Sequence, residues 1–266
     1  MSQTIVLPPE AMDEDPFPRP SGILAPRGAF PSTQWSMVLH AGAGSESLAR
    51  TALESLCRQY WYPLYTFVRR QGRSHHEAED CTQEFLARLL ASEAVARAKP
   101  ERGRFRTFLL ASLRNFLVNE WQRGQAVKRG GGLAPLPLEF DTAGDRFARE
   151  PVDPGLTPEQ AFDRNYALDL IVRTLAALRD EYEQSDRGAL FGALRPLLWG
   201  NSSPEKSADQ AARLGISAHA FTMALQRLRR RLGERLRTEV RQTVDGEAEV
   251  ETELRHLIAA SGGAAS

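Results

Sequence analysis

No run of apolar residues in this chain is long enough to cross a bilayer, and no basic start followed by an apolar core marks a secretory signal. Cysteine is scarce: Cys57 and Cys81 are the only two, and both fall within helical patterns. They are read as free, buried thiols of a reducing compartment, not as a disulfide framework. Alternating runs of β-branched residues are missing, which argues against a sheet. A glycine-rich phosphate loop and a nucleophile motif are missing too. The one dense histidine cluster, His75–His76–Glu77, sits at a helix start without the spaced partners a metal site requires. The expectation is a cytoplasmic protein without metal, cofactor, membrane association or enzymatic activity.

Net charge is also lacking, because 34 acidic residues balance 34 basic ones. No whole-protein field therefore points to a polyanionic partner. The balance conceals a segregation. Basic residues concentrate around Arg102–Arg129 and Arg227–Arg241, while acids crowd the proline-rich N-terminus, Glu139–Asp186 and Asp245–Glu253.

At 266 residues and 42% hydrophobic content, the chain can hold one large domain or two small ones with real cores. Residues 1–30, rich in proline and acid, read as disordered. Helical periodicity covers about Gln34 to Arg123 and resumes from Pro158 to about Val240. The glycine- and proline-rich stretch between them reads as a linker. The final segment, "DGEAEVETELRHLIAASGGAAS", reads as an acidic tail with one short amphipathic helix. No internal repeat is present. The predicted fold is all-α: two small helical domains, 31–128 and 158–241, joined by a flexible linker over 129–157 and followed by a tail over 242–266.

Within the first block, Ser74 and Glu77 form a capping-box pattern. Ala78, Cys81, Phe85 and Leu89 then share an apolar face, with Asp80, Gln83, Glu84 and Ala87 opposite. That polar face is either solvated or a docking surface for another protein. The next helix, "RFRTFLLASLRNFLVNEWQR", carries its main stripe at Phe105, Leu109, Leu113 and Phe116, with Trp121 off it. Arg102, Arg104, Arg106, Arg114, Arg123, Lys128 and Arg129 surround these aromatics with few acids nearby in sequence. Single-strand binders combine phosphate-neutralising cations with stacking rings in this way. A core helix with a solvated basic rim is the plainer reading, and for Trp121 alone burial is the stronger expectation.

The stretch "SADQAARLGISAHAFTMALQRLRRRL" reads as helix, turn, helix. Ala211 and Ala212 are small where two helices meet, Gly215 suits a left-handed turn, and Ser217 can cap the second helix. Phe221, Leu225, Leu228 and Leu232 share one face, while His219, Met223, Gln226, Arg227 and Arg230 point the other way. A recognition helix needs this division between anchor and groove. Gln226 can pair with adenine, and Arg227 or Arg230 with guanine or phosphate. Arginines near a helix C-terminus also complement the macrodipole of an ordinary surface helix.

In order along the chain, these segments resemble bacterial RNA polymerase sigma factors of the extracytoplasmic-function type. "AEDCTQEFLARLL" is similar to the helix by which that family docks on the polymerase clamp. "RFRTFLLASLRNFLVNEWQR" resembles the helix that opens and holds the downstream promoter element, and the last motif resembles the helix-turn-helix that binds the upstream element. The openings "FPSTQWSMVLHAG" and "YWYPLYTFVRRQG" look like a subgroup with longer linkers and tails. The resemblance implies a region 2-like domain over 31–128 and a region 4-like domain over 158–241. It places Asp80, Gln83 and Glu84 on core polymerase. It places Arg104, Arg106, Asn115, Asn119 and Arg123 near the downstream element, with Trp121 added as a stacking candidate and the loop before Arg104 near an extruded base. Ser217, His219, Thr222, Met223, Gln226, Arg227 and Arg230 fall at the upstream element. Asn119 stands where the family often carries aspartate, and Ala224 where arginine is frequent. Core RNA polymerase and promoter DNA are the implied partners, with an anti-sigma antagonist a further one. A stand-alone helix-turn-helix regulator is the rival reading. The acidic tail, with the stripe Leu254, Leu257 and Ile258, is expected to fold back on a basic helix and limit DNA binding by the free protein.

Overall fold

The structure, a computed structural model, describes residues 46–91, 104–124, 140–149, 155–200, 204–244 and 246–262. Among them the elements are helices: α1 Glu46–Arg70, α2 His75–Ala91, α3 Phe105–Gly124, α4 Phe140–Arg149 and α5 Pro158–Gln184. α6 Gly188–Leu194, a 3-10 turn Arg195–Leu197, α7 Pro204–Arg213, α8 Ala218–Arg241 and α9 Glu247–Ala260 follow. The only β-type pairing among the described residues is an isolated antiparallel bridge between Arg104 and Val244. The predicted all-α class holds. The N-terminal segment, the loop before Arg104 and the side chains of Trp121 and Arg123 lie outside the described residues.

The described residues fall into two compact units. One comprises residues 179–230; the other comprises 46–178 together with 231–262. These limits do not follow the expected boundaries at 128, 157 and 241, because the start of α5 and the whole of α9 belong with α1–α4.

In the larger unit α1 is the central helix, buried on every side from Tyr62 to Val68. Tyr60 stacks on Tyr166 of α5 with ring centroids 4.1 Å apart and meets Phe105 of α3 edge-on at 5.2 Å. Aromatic pairs of this kind contribute about 0.5–1.5 kcal/mol each beyond the area they bury. Pro63 lies inside α1, where it removes one backbone donor. The Thr66 hydroxyl donates to the Pro63 carbonyl at 2.9 Å and accepts from the Asn165 amide at 3.1 Å, which ties α1 to α5.

The capping box at the head of α2 forms as its pattern predicts: Ser74 N–H donates to the Glu77 carboxylate at 2.8 Å, and Glu77 N–H to the Ser74 hydroxyl at 3.3 Å. A second one, which the pattern reading overlooked, opens α5. Thr157 and Gln160 exchange the same pair of bonds at 2.9 and 3.2 Å, with Pro158 in the first helical position.

The stretch read as a flexible linker contains α4, which is a correction. Phe140, Ala143 and Phe147 recur at helical spacing, and glycine-proline content around them masked it. Ala143 is buried, Phe147 meets Tyr65 edge-on at 6.3 Å, and the Arg69 guanidinium lies 4.7 Å from the Phe147 ring centroid. Arg146 lies over Tyr62 at 3.5 Å and pairs with Asp169. Gly144 sits against the His75 ring, where a Cβ would come within 3.3 Å.

In the smaller unit Tyr182 packs on Phe191 at 5.4 Å between centroids, and Leu194 and Leu198 are buried beside the 3-10 turn. The Arg229 guanidinium of α8 donates to the carbonyls of Leu197 and Gly200 at 2.8 and 2.9 Å, closing chain ends that helix bonding leaves open.

Candidate nucleic-acid interface

α7, the turn at Gly215 and α8 form as their residues dictate. Gly215 takes φ +68° between α7 and α8, a left-handed value that costs a side-chain-bearing residue energy. The Ser217 hydroxyl accepts the Ala220 N–H at 3.1 Å and so caps α8. Phe221, Leu225, Leu228 and Leu232 are all buried, as is Ala211, whereas Ala212 is exposed. His219, Thr222, Met223, Gln226 and Arg230 are exposed and Arg227 is half-buried. Thr222 spends its hydroxyl on the Ala218 carbonyl at 2.9 Å. The exposed residues of α8 thus lie together on one face, opposite the buried stripe.

On α2, Ala78, Cys81, Phe85 and Leu89 are buried as expected. Asp80 is exposed and Gln83 and Glu84 are half-buried, but Ala87, read as part of that polar face, is buried. The buried face is wider than the periodic stripe because Thr82 and Leu86 join it. Glu84 pairs with Arg88, whose guanidinium also donates to Glu120 of α3 at 2.9 Å and lies 5.3 Å from the Phe116 ring centroid. Burial raises the Cys81 thiol to about 11, and Cys57 is pushed up further by deeper burial beside Glu54.

On α3 the predicted stripe Phe105, Leu109, Leu113 and Phe116 is buried, joined by Phe108, Leu110 and Leu117. Asn115 and Asn119 are exposed one turn apart, and Val118, 55% exposed, lies between them. Val118 lies off the buried stripe, so helical periodicity does not single it out.

The basic rim differs most from its expectation. Arg106 is buried, and its guanidinium donates to both oxygens of Glu253 at 2.8 and 3.1 Å and to both of Asp163 at 2.9 and 3.1 Å. Burial pulls the Arg106 pKa down, but the hydrogen bonds and charge of Glu253, with Asp163, more than offset it, and the net shift is upward. Arg104 binds Glu249 at 2.7 Å and Glu253 at 3.1 Å, and the exposed Arg114 binds Glu159 at 2.6 Å. Acids distant in sequence supply the partners, which no local count of charge reveals.

Glu77 belongs to the helix cap, so the histidine pair at the head of α2 faces Glu79 instead. His75, His76 and Glu79 bring three possible ligand atoms within 4.8 Å of one another. The Glu79 oxygen stands 4.0 Å from His75 Nε2 and 3.9 Å from His76 Nδ1. Ligands on one tetrahedral zinc ion stand only about 3.3 Å apart. His75 Nδ1 is 2.7 Å from the Tyr65 hydroxyl, so this ring is tied to the core of the larger unit.

Residues 56–127 match the family model for Sigma-70 region 2. The match begins inside α1 and takes in α2 and α3, the helices that carry the candidate docking face and the candidate downstream-element face. No curated protein and no solved structure matches the chain. No helix among the described residues is long and apolar enough to cross a membrane.

Proposed function

We propose that the chain is a sigma factor of the extracytoplasmic-function type, which binds core RNA polymerase and directs promoter recognition and melting. The observation that carries this reading is the Sigma-70 region 2 match over 56–127. In this reading Asp80, Gln83 and Glu84 meet the polymerase. Arg104, Arg106, Asn115, Asn119, Trp121 and Arg123 serve the downstream element. The exposed face of α8, from Ser217 and His219 through Thr222, Met223, Gln226, Arg227 and Arg230, serves the upstream element. The open face of α8 and its capped, glycine-turned start support a groove-binding role.

The chain itself performs no bond-breaking step. Unstacking bases costs a few kcal/mol, and phosphate and stacking contacts offset it on a chain held in place by the polymerase. Binding by the assembled complex falls steeply with salt, as phosphate neutralisation releases counterions.

Gel filtration of the purified chain with core polymerase tests the proposal. Co-migration is expected, weakened by Asp80→Arg; separate elution of the two refutes it. The stand-alone regulator reading, favoured by the form of α7 and α8, requires tight duplex binding by the free chain without polymerase. Arg227→Ala with Arg230→Ala lowers duplex binding in both readings, but only the sigma reading places the effect in the polymerase complex.

A further inference from the structure

Four glutamates of α9 each meet an arginine, Glu247 and Glu251 on one flank of its buried stripe and Glu249 and Glu253 on the other. Glu247 binds Arg241 through two bonds of 2.6 Å, and Glu251 binds Arg237 at 2.6 Å. Glu249 and Glu253 reach across to α3, taking Arg104 and Arg106. Val250, Leu254 and Leu257 are buried beneath them, while Ile258, expected in that stripe, is 44% exposed. The backbone holds the same arrangement: Phe105 N–H donates to the Thr243 carbonyl at 2.9 Å, beside the bridge from Arg104 to Val244.

We infer that α9 is an internal occupant of a phosphate-binding site at the head of α3, its Glu249 and Glu253 carboxylates standing where DNA phosphates meet Arg104 and Arg106. This rests on the proposed reading of those two arginines as downstream-element contacts, and adds how the free chain keeps them from DNA. The contact geometry fits the substitution. Arg104 presents Nε and one terminal nitrogen to Glu249 at 2.9 and 2.7 Å, and Arg106 presents the same edge to Glu253. That edge of a guanidinium grips a carboxylate or a phosphate alike. An exchange of one anion for the other leaves no buried guanidinium unpaired, so the large penalty for a stranded charge does not arise.

The two arginines are not equivalent. Among the described residues, the acidic partners of Arg104 both come from α9, whereas Arg106 also holds Asp163 of α5. Displacing α9 therefore strips Arg104 of those acids and leaves Arg106 half satisfied. Arg104 is the residue through which release gains DNA. Glu249 is the point of entry, since its side chain is 44% exposed where that of Glu253 is 1%.

The test uses the full chain and a labelled single-stranded oligonucleotide of mixed sequence, read by fluorescence anisotropy at low salt. Glu249→Lys, or Glu249→Gln with Glu253→Gln, is expected to tighten binding by the free chain about tenfold or more, the ratio that a change of about 1.4 kcal/mol produces. Adding Arg104→Ala is expected to abolish the gain, and adding Arg106→Ala to reduce it less. Unchanged binding in the folded Glu249→Lys chain overturns the inference while leaving polymerase docking intact. A chain that fails to join core polymerase yet shows the gain keeps the inference and loses the sigma reading. Hydrogen exchange on the wild-type chain gives a second readout should the variants unfold. Saturating oligonucleotide is expected to speed exchange across 247–260, and unaltered protection there contradicts the inference.

Discussion

Arg106→Ala isolates the buried ion cluster. The side chain is nearly inaccessible, and its loss deprives the Glu253 and Asp163 carboxylates of the guanidinium they share, leaving Arg104 at 3.1 Å from Glu253 and the His256 ring at 2.8 Å from Asp163. Breaking a buried pair by removing one partner costs about 3–5 kcal/mol. At roughly 2–4 °C per kcal/mol for a chain of this size, the melting midpoint falls by about 6–20 °C. Arg114→Ala supplies the internal standard, because Arg114 is exposed and Glu159 partly so, and such a solvent-accessible pair is worth under about 1 kcal/mol. Circular dichroism melts of the two variants beside wild type at neutral pH measure the difference. Equal midpoints for Arg106→Ala and Arg114→Ala refute the argument, since they mean that the α3–α5–α9 cluster is not the desolvated network described.

Gly215→Ala destabilises the α7–α8 turn by about 1–2 kcal/mol through backbone strain alone, since φ is +68° and no atom crowds the position; an unchanged urea midpoint contradicts this. Cys57 and Cys81 are buried with raised thiol pKa values, so Ellman's reagent at pH 8 is expected to leave both unreacted in the native chain and to modify both in urea; rapid native labelling contradicts the burial. Three carboxyls titrate below their ordinary 4.5: Glu77 through the Ser74 backbone N–H, Glu159 through its bond from Arg114, and Glu247 through its bond from Arg241. A depressed carboxyl stabilises the fold fully above the unfolded value and loses that contribution as pH falls through the lowered one. Stability is therefore expected to decline below about pH 4.5, and a rise toward acid contradicts the assignment.

Much of this was legible in the sequence because the signals are local. The Ser74–Glu77 cap, the Gly215 turn, the Ser217 cap and the buried stripes of α2, α3 and α8 each depend on residues within about three turns of one another. The Thr157–Gln160 cap is equally local, but the glycine and proline around it give the stretch the composition of a linker. α4 was hidden by composition, which averages over a stretch and so outweighs three well-spaced apolar residues. The partners of Arg104 and Arg106 were out of reach in principle. Glu249 and Glu253 lie about 145 residues further on, and charge patterning names the acidic stretch without saying which arginines it meets. The tail's return to a basic helix was expected from charge; that it lands on the head of α3, through Glu249 and Glu253, required the fold.

The most direct trial of the account is to let core polymerase transcribe genomic DNA with and without the purified chain and to sequence the transcript 5′ ends. The account predicts a new, reproducible set of start sites that depends on the added chain and is lost with Arg227→Ala plus Arg230→Ala. The same start sites with and without the chain, under conditions where a known sigma factor redirects the same polymerase, would contradict it.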